Sequence, residues 1–207
     1  MVDTAWLEEH APAVDTPTPE EIVELVAACI KFVRDALGFE LDLTAETLPI
    51  LDHYLSAARE TLSDRPDLRE LVWRCTGAYF GELVRRRYNG FWSLPNADAH
   101  TWRINQRQVL MSFNPVGVAA EAIFASEQGE GPTGALRLAH ADQEDVAARL
   151  AQMPPLPSDE YYLLSTRLEV IDTVIEHLRL RMEQNDQAEI EFDPDDYVND
   201  LAPYGRA

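Results

Sequence analysis

The sequence has little cysteine, almost no lysine and no long apolar run. Only two of its 207 residues are cysteine, and Lys31 is its single lysine. Cys29 and Cys75 both lie in apolar helical patterns, which predicts two reduced thiols in a hydrophobic core and a cytoplasmic protein. The longest apolar run, residues 25–30, is far too short to span a bilayer, and residues 1–10 lack the features of a secretory signal.

Recognisable catalytic and metal-binding motifs are also missing. No serine stands in a G-x-S-x-G setting, and the five histidines are scattered without an H-E-x-x-H pair. Residues 129–134 match G-x-G-x-x-G, but they follow a predicted helix and contain an acid, so we expect a solvated loop. Asp172 and Glu176 share a helical face, whereas His177 points about 100° away. We therefore predict no catalytic residue, metal or cofactor.

Net charge is unevenly distributed along the chain. The total is −20, with 14 acids and 3 bases in residues 1–64, and 19 acids and 6 bases in residues 118–207. Between them lies a basic segment, residues 65–117, with 4 acids and 8 bases. The overall negative charge opposes binding to nucleic acid or to anionic membranes and favours a protein partner with a basic surface.

Apolar periodicity and capping signals predict an α+β fold that is predominantly helical. We expect about six helices, with a small antiparallel β-hairpin or sheet after the third. Thr18 is the predicted N-cap of the first helix, and Pro66 and Pro115 mark the starts of two others. The predicted helices are 18–37, 44–62, 66–89, 115–124, 142–153 and 158–183. The predicted strands are 91–92, 101–104, 109–113, 136–138 and 188–192.

Composition divides the chain into one domain with two flanking segments. Residues 1–17 are predicted to form a flexible acidic arm, residues 18–192 a single globular α+β domain, and residues 193–207 an acidic C-terminal tail. That tail resembles a calcium loop only in its acids, because the turn glycine is missing. Within the last helix, an apolar heptad pattern favours a core helix and leaves a dimer seam as the alternative. The heptad residues are Leu164, Leu168, Ile171, Ile175, Leu178 and Met182.

The third predicted helix contains two glycines one turn apart. Gly77 and Gly81 each cost about 1 kcal/mol relative to alanine inside a helix. We predict that this cost is offset by close approach of another backbone or of a flat aromatic ring, which Trp92 or Trp102 of the following hairpin can supply. Gly77, Gly81 and Trp92 are therefore predicted structural residues.

Polar residues surround these glycines and permit two interpretations. Glu82 can pair with Arg85 or Arg86 one turn along the helix, or with Arg103 of the hairpin. In the structural interpretation, the arginines also favour the helix C-terminus. In the other, a ligand pocket lies between the helix at 66–88 and the hairpin at 101–113, and Glu82→Gln alters binding without disturbing the fold. The candidate ligand-binding residues are Tyr79, Glu82, Arg85, Arg86, Trp102 and Arg103.

The same region contains a sequence pattern that resembles one found in other proteins. Thr76, Gly77, Tyr79, Gly81 and Glu82 form a T-G-x-Y-x-G-E pattern, which is followed by Trp92, a strand at 109–113 and Pro115. This arrangement resembles a set of small bacterial proteins of unknown function, over roughly residues 39–125. The resemblance implies a compact α+β domain and no catalytic residue.

Charge and motif content together favour a non-enzymatic cytoplasmic interaction protein. Its sharpest form is an immunity or chaperone-like factor that binds a basic partner. One alternative is a small-ligand-binding domain or enzyme that uses the pocket described above. Another is a homodimeric scaffold built on the helix at 159–183. If the acidic flanks fold back on the basic segment, its arginines are neutralised internally; otherwise Arg85, Arg86, Arg87 and Arg103 mark a ligand site.

Overall fold

The computed structural model describes residues 16–126, 132–197 and 201–203, and it confirms a predominantly helical α+β fold. Seven α-helices lie in these ranges, and none is both long and apolar enough to cross a membrane. The helices are α1 (Glu20–Leu37), α2 (Leu48–Asp64), α3 (Pro66–Tyr88), α4 (Pro115–Phe124), α5 (Gln143–Leu150), α6 (Ser158–Tyr161) and α7 (Leu164–Gln184).

Five strands of three residues each form one antiparallel sheet in chain order. The predicted hairpin is confirmed, but its first strand begins later, because residues 99–101 form a short 3-10 helix. The Asp98 carboxylate starts that turn by accepting from the His100 N–H at 3.0 Å. The strands are β1 (Phe91–Ser93), β2 (Arg103–Asn105), β3 (Met111–Phe113), β4 (Arg137–Ala139) and β5 (Leu201–Pro203).

Helix α3 lies at the centre of the molecule. Every residue from Cys75 to Arg85 is buried, because α1 and α4 pack against it and the hairpin covers its C-terminal half. A helix that is buried all round lacks a polar face, so its charged residues need partners inside the protein. Helix α4 begins where predicted, since the Asn114 side chain accepts from the Gly117 N–H at 2.9 Å and caps it.

The last helix differs from the prediction. The single helix expected over 158–183 is divided into α6 and α7, because Leu163 has an extended backbone. The cap of α7 comes from α2: the Asp52 carboxylate accepts from the N–H groups of Leu164 at 2.7 Å and Ser165 at 3.1 Å. Burial raises the pKa of Asp52, and the hydrogen bonds from Ser165 and Leu164 only partly oppose that rise.

We expect Asp52→Ala to lower the free energy of unfolding by about 1–2 kcal/mol, because the first N–H groups of α7 lose a buried cap. Urea denaturation measures the change in the free energy of unfolding. Faster amide hydrogen exchange at Leu164 and Ser165 would locate the effect at the start of α7. Glu60→Ala, at an exposed position of the same α2, is the matched control and should change stability by less than about 0.5 kcal/mol. Equal effects of the two substitutions would contradict the capping role.

The apolar stripe of α7 belongs to the core of this chain. Five of its six heptad positions are buried, which confirms a core helix. A second copy therefore finds no exposed apolar seam at those five positions, and the homodimer alternative loses the feature on which it was based. The buried positions are Leu164, Leu168, Ile171, Ile175 and Leu178.

The segment after α7 also differs from the prediction. Residues 188–192 form no strand, and Phe192 instead donates its N–H to the Arg107 carbonyl at 2.7 Å. The Tyr197 hydroxyl contacts the hairpin carbonyls of Gln106 at 2.5 Å and Val109 at 3.0 Å. With β5 paired to β4, the described part of the predicted acidic tail is joined to the sheet.

The other predicted boundaries fall partly outside the described residues. Of the predicted arm, only residues 16 and 17 are described. Of the predicted solvated loop, residues 127–131 lie outside the description, whereas Gly134 is buried against α4 and donates its N–H to Glu121 at 2.7 Å. The described end of that loop is thus packed, because α4 offers it a buried acceptor.

Candidate functional site

Glu82 is the centre of a buried polar cluster. Its carboxylate is 0% exposed. The two oxygens accept from Arg85 Nε and Nη2, both at 2.8 Å, and from Arg86 Nε at 2.6 Å. They also accept from Trp92 Nε1 at 3.0 Å and Thr18 Oγ1 at 2.7 Å. We call these five residues the Glu82 cluster.

The Glu82 carboxylate has no capacity left for a ligand. An ionised carboxylate offers about four lone-pair sites, and here it accepts five hydrogen bonds. Burial alone would raise the pKa of Glu82, but the hydrogen bonds and charge of Arg85, together with Trp92 and Thr18, bring it below its usual value. The cluster therefore holds an ionised carboxylate between two guanidinium groups, and its arrangement is structural.

The same cluster fixes the chain just before α1. Arg85 Nη1 donates to the Thr16 carbonyl at 3.0 Å, and Nη2 donates to Thr18 Oγ1 at 3.0 Å. The prediction that Thr18 caps α1 is wrong, because its hydroxyl is used by Glu82 and no side chain caps that helix. A residue suited to local capping is here used for a contact with α3.

The two glycines of α3 admit close neighbours, as predicted. A Cβ at Gly81 would lie 2.5 Å from the ring of Trp92, which confirms Trp92 as the aromatic neighbour. A Cβ at Gly77 would lie 2.6 Å from Val116 Cα, so the neighbour there is the backbone of α4 rather than a ring. Trp102 packs edge-on against Trp92, with 6.4 Å between ring centroids.

Tyr79 lies away from the Glu82 cluster, on the other side of α3. Its hydroxyl accepts from the Leu43 N–H at 2.9 Å and lies 3.2 Å from Thr47 Oγ1. Leu43 has a φ of 61°, which side-chain-bearing residues rarely adopt, so this hydrogen bond helps to hold a strained loop between α1 and α2. Burial raises the pKa of Tyr79, which keeps the phenol neutral.

Arg103 does not join Glu82, and that predicted pairing is wrong. Its Nη1 donates to the carbonyls of Trp102 at 2.7 Å and His100 at 3.2 Å. Burial lowers the pKa of Arg103, and the nearby charge of Arg137 lowers it further. Both acceptors belong to residues just before Arg103 in the chain, so these hydrogen bonds are local.

The pocket predicted between α3 and the hairpin is filled by the residues proposed to line it. Tyr79, Glu82 and Trp102 are 0% exposed, and Arg85 is 1% exposed. Trp102 directs its ring N–H to the Asn96 carbonyl at 3.1 Å. The ligand site predicted there is therefore replaced by a packed interface.

Other arginines of the basic segment are neutralised by the acidic flanks. Arg87 pairs with Asp172 of α7 at 2.9 Å, and the Tyr88 hydroxyl donates to the same carboxylate. Arg74 pairs with Glu21 of α1 at 2.8 Å. Asp172, predicted to lie on a solvated face, is thus an ion-pair partner, and the chain folds back on its own basic segment.

A second buried ion pair escaped the sequence analysis. Arg167 of α7 lies 3.7 Å from Glu121 of α4, and it donates to the Gly134 carbonyl at 2.7 Å. Its other terminal nitrogen donates to the Tyr161 hydroxyl at 2.8 Å. The available signal was Glu121, the one charged residue in the otherwise apolar helix α4, which indicates burial with a partner.

The described part of the chain contains neither a group of metal ligands nor an exposed thiol. No group of three or more histidine, cysteine, aspartate or glutamate side chains is placed to hold a metal ion there. Cys29 and Cys75 are buried and free. Burial raises the pKa of Cys75 to about 11, and it raises that of Cys29 further, so both thiols stay protonated near neutral pH.

A cavity lies at a different place, beside the C-terminal half of α7. Its volume is about 260 Å³, and we call it the apolar cavity. A neighbouring space of about 130 Å³, the acidic cavity, shares Met182 and Ile190 with it. Neither cavity was predicted from the sequence, because residues 188–192, which form part of their outer wall, were predicted to be a strand. Residues lining the apolar cavity are Val109, Leu110, Ala139, Asp142, Leu178, Arg181, Met182, Asn185, Gln187, Ile190 and Phe192.

No protein-family model, characterised protein or solved structure matches this chain. The resemblance carried by the T-G-x-Y-x-G-E helix therefore stays a prediction. The geometry now gives that pattern a physical meaning, since Gly77 admits the backbone of α4, Gly81 admits the ring of Trp92, and Glu82 accepts from Trp92 and from two arginines of its own helix.

Proposed function

We propose that this chain is a non-enzymatic interaction protein that binds a partner with a basic surface. The observation that carries the proposal is the acidic segment, residues 183–196, which contains seven acids and no base. All seven are exposed, and none pairs with a base among the residues that the structure describes. They are Glu183, Asp186, Glu189, Glu191, Asp193, Asp195 and Asp196.

The burial of several basic side chains in ion pairs within the chain supports this proposal. Arg85, Arg86 and Arg167 are nearly buried in ion pairs, so their positive charge contributes little to the surface that a partner meets. The acidic segment, in contrast, concentrates negative charge on one stretch of chain beside the cavities. Such a field accelerates encounter with a positive partner and repels polyanions. This favours a basic protein over nucleic acid or an anionic membrane.

The cytoplasm is the proposed location, in keeping with two buried thiols that form no disulfide. A protein that neutralises a basic toxin or shields a basic client would need this kind of surface and no catalytic centre. An immunity or chaperone-like role is therefore the specific form that we propose.

Affinity capture at two salt concentrations tests the proposal. We expect the full chain to retain one or a few proteins of high isoelectric point from a lysate of its own organism at low salt, and to release them at high salt, because exposed charges are screened. Mass spectrometry identifies the retained proteins. A variant in which four acids of the acidic segment are neutralised should retain much less. Its changes are E183Q, D186N, E189Q and E191Q.

A second variant distinguishes the effect of the acidic segment from the effect of total net charge. It carries four neutralised acids at exposed positions elsewhere, so its net charge equals that of the first variant. It should retain the partner nearly as well as the unmodified chain. Recovery of no basic protein at either salt concentration, or equal losses in the two variants, would refute a partner site at the acidic segment. The control changes are E20Q, E24Q, E46Q and E60Q.

A further inference from the structure

We infer that the apolar cavity receives one apolar side chain of the basic partner, while an arginine or lysine beside it enters the acidic cavity. The inference deepens the proposed function and rests on it. The two cavities share Met182 and Ile190, so neighbouring residues of a partner segment can occupy both. Ile190 is 43% exposed, which leaves this shared wall open to solvent.

Size favours a side chain over a small-molecule ligand. Pockets for drug-sized ligands and cofactors have volumes of roughly 300–1,000 Å³. The apolar cavity, at about 260 Å³, falls below that range. A buried apolar anchor within a polar surround is typical of the residues that dominate protein–protein binding energy.

The charged residues of the two cavities indicate which residue of the partner lies beside the apolar anchor. Among the described residues that line the apolar cavity, the one base is Arg181, which pairs with Asp142 at 3.0 Å and Asp145 at 2.8 Å. The acidic cavity is lined by three glutamates and one arginine. The acidic cavity thus carries net negative charge, which a cation beside the anchor offsets, whereas Arg181 and Asp142 balance each other in the apolar cavity. The charged residues of the acidic cavity are Arg179, Glu183, Glu189 and Glu191.

The same charge argues against two other occupants. Residues 1–15 contain four acids and no lysine or arginine, so their charge does not complement this surface. A second copy of the chain brings a net charge of −20 and is repelled. A basic segment with an apolar residue is the occupant that both cavities favour.

A model peptide tests the inference directly on the full chain. The probe is a labelled heptapeptide with one glycine at each end and a leucine between two pairs of arginines. We expect saturable binding by fluorescence anisotropy at low salt, with NMR amide shifts at Val109, Leu110 and Ile190. Replacing the leucine by alanine should weaken binding about tenfold, because most of the buried apolar area is lost.

Two substitutions of the protein complete the test. Ile190→Ser removes one of the two apolar side chains that the cavities share and should weaken binding of the leucine peptide about fivefold, in keeping with a partly exposed contact. Leu180→Ser is the control, because Leu180 is similarly exposed, at 49%, but lines neither cavity. Circular dichroism confirms that each variant is folded.

The outcomes separate this inference from the proposed function. Equal binding of the leucine and alanine peptides, or equal effects of the two substitutions, overturns the cavity as an anchor site while leaving a basic partner in place. Absence of saturable binding by the leucine peptide overturns the inference as well. Failure to capture any basic protein from the lysate removes the proposed function itself.

Discussion

Replacing Glu82 by glutamine is expected to lower the free energy of unfolding by about 3–5 kcal/mol. The glutamine amide has one oxygen acceptor and places an N–H₂ donor where the carboxylate now accepts from a guanidinium. Arg85 and Arg86, whose side chains are 1% and 8% exposed, would then lose the negative charge of Glu82 with which both pair. Urea denaturation, followed by circular dichroism, measures the loss.

Glu21→Gln is the matched control for this change. It removes the acid of an ion pair with Arg74, whose side chain is 33% exposed, so water screens the interaction. We expect a loss below about 1 kcal/mol. Similar losses for the two glutamines would contradict a buried, energetically coupled Glu82 cluster. A fully stable Glu82→Gln protein with altered ligand binding would instead restore the ligand-pocket interpretation.

The pH dependence gives this prediction a second readout. Because the pKa of Glu82 is lowered in the folded protein, its contribution is fully present above the unfolded value of about 4.5 and is lost as pH falls through the folded pKa. The stability difference between the unmodified chain and Glu82→Gln should therefore shrink below about pH 4.5. Asp52, with a raised pKa, contributes the opposite slope, but both proteins carry it.

Gly77→Ala is the second substitution with a large expected effect. Alanine favours a helix by about 1 kcal/mol over glycine, so at an open position this change would stabilise the protein. Here the added Cβ would lie 2.6 Å from Val116 Cα and 2.8 Å from Val116 N, and backbone atoms of α4 cannot move aside singly. We expect a net loss of about 2–3 kcal/mol, measured by urea denaturation.

Gly81→Ala provides the comparison within the same helix. Its Cβ would lie 2.5 Å from the ring of Trp92, which is a partly buried side chain, whereas the Cβ at position 77 would meet backbone atoms. Its loss of stability should be smaller than that of Gly77→Ala. The reverse order, or an unchanged or higher stability of Gly77→Ala, would contradict the close packing of α3 against α4.

Local signals account for what the sequence predicted well. Prolines at the first turn of α3 and α4 and the Asn114 cap act within a few residues, so they mark helix starts whatever surrounds them. Apolar stripes predicted the buried face of α7, since periodicity is a property of the chain itself. The paired glycines of α3 indicated a close neighbour, although they did not distinguish a ring from a backbone.

Non-local contacts account for what the sequence missed. The cap of α7 comes from Asp52, which lies 112 residues before Leu164, and the local sequence around Leu163 gave no sign of the break. Thr18 had the right residue type for a cap, but a buried carboxylate 64 residues away uses its hydroxyl. Pairings between distant residues depend on how elements pack, which no window of sequence contains.

By itself, the sequence determined the fold class, the positions of most helices and a strong excess of acid, because propensity, periodicity and charge are properties of the chain. Only the tertiary structure decided how those charges are used. Packing α3 among α1, α4 and the hairpin joined Glu82, Arg85 and Arg86 in one buried cluster and left Tyr79, Trp102 and Arg103 with other partners. It also left open cavities beside the acidic segment, because the end of α7 meets the sheet there without filling the space.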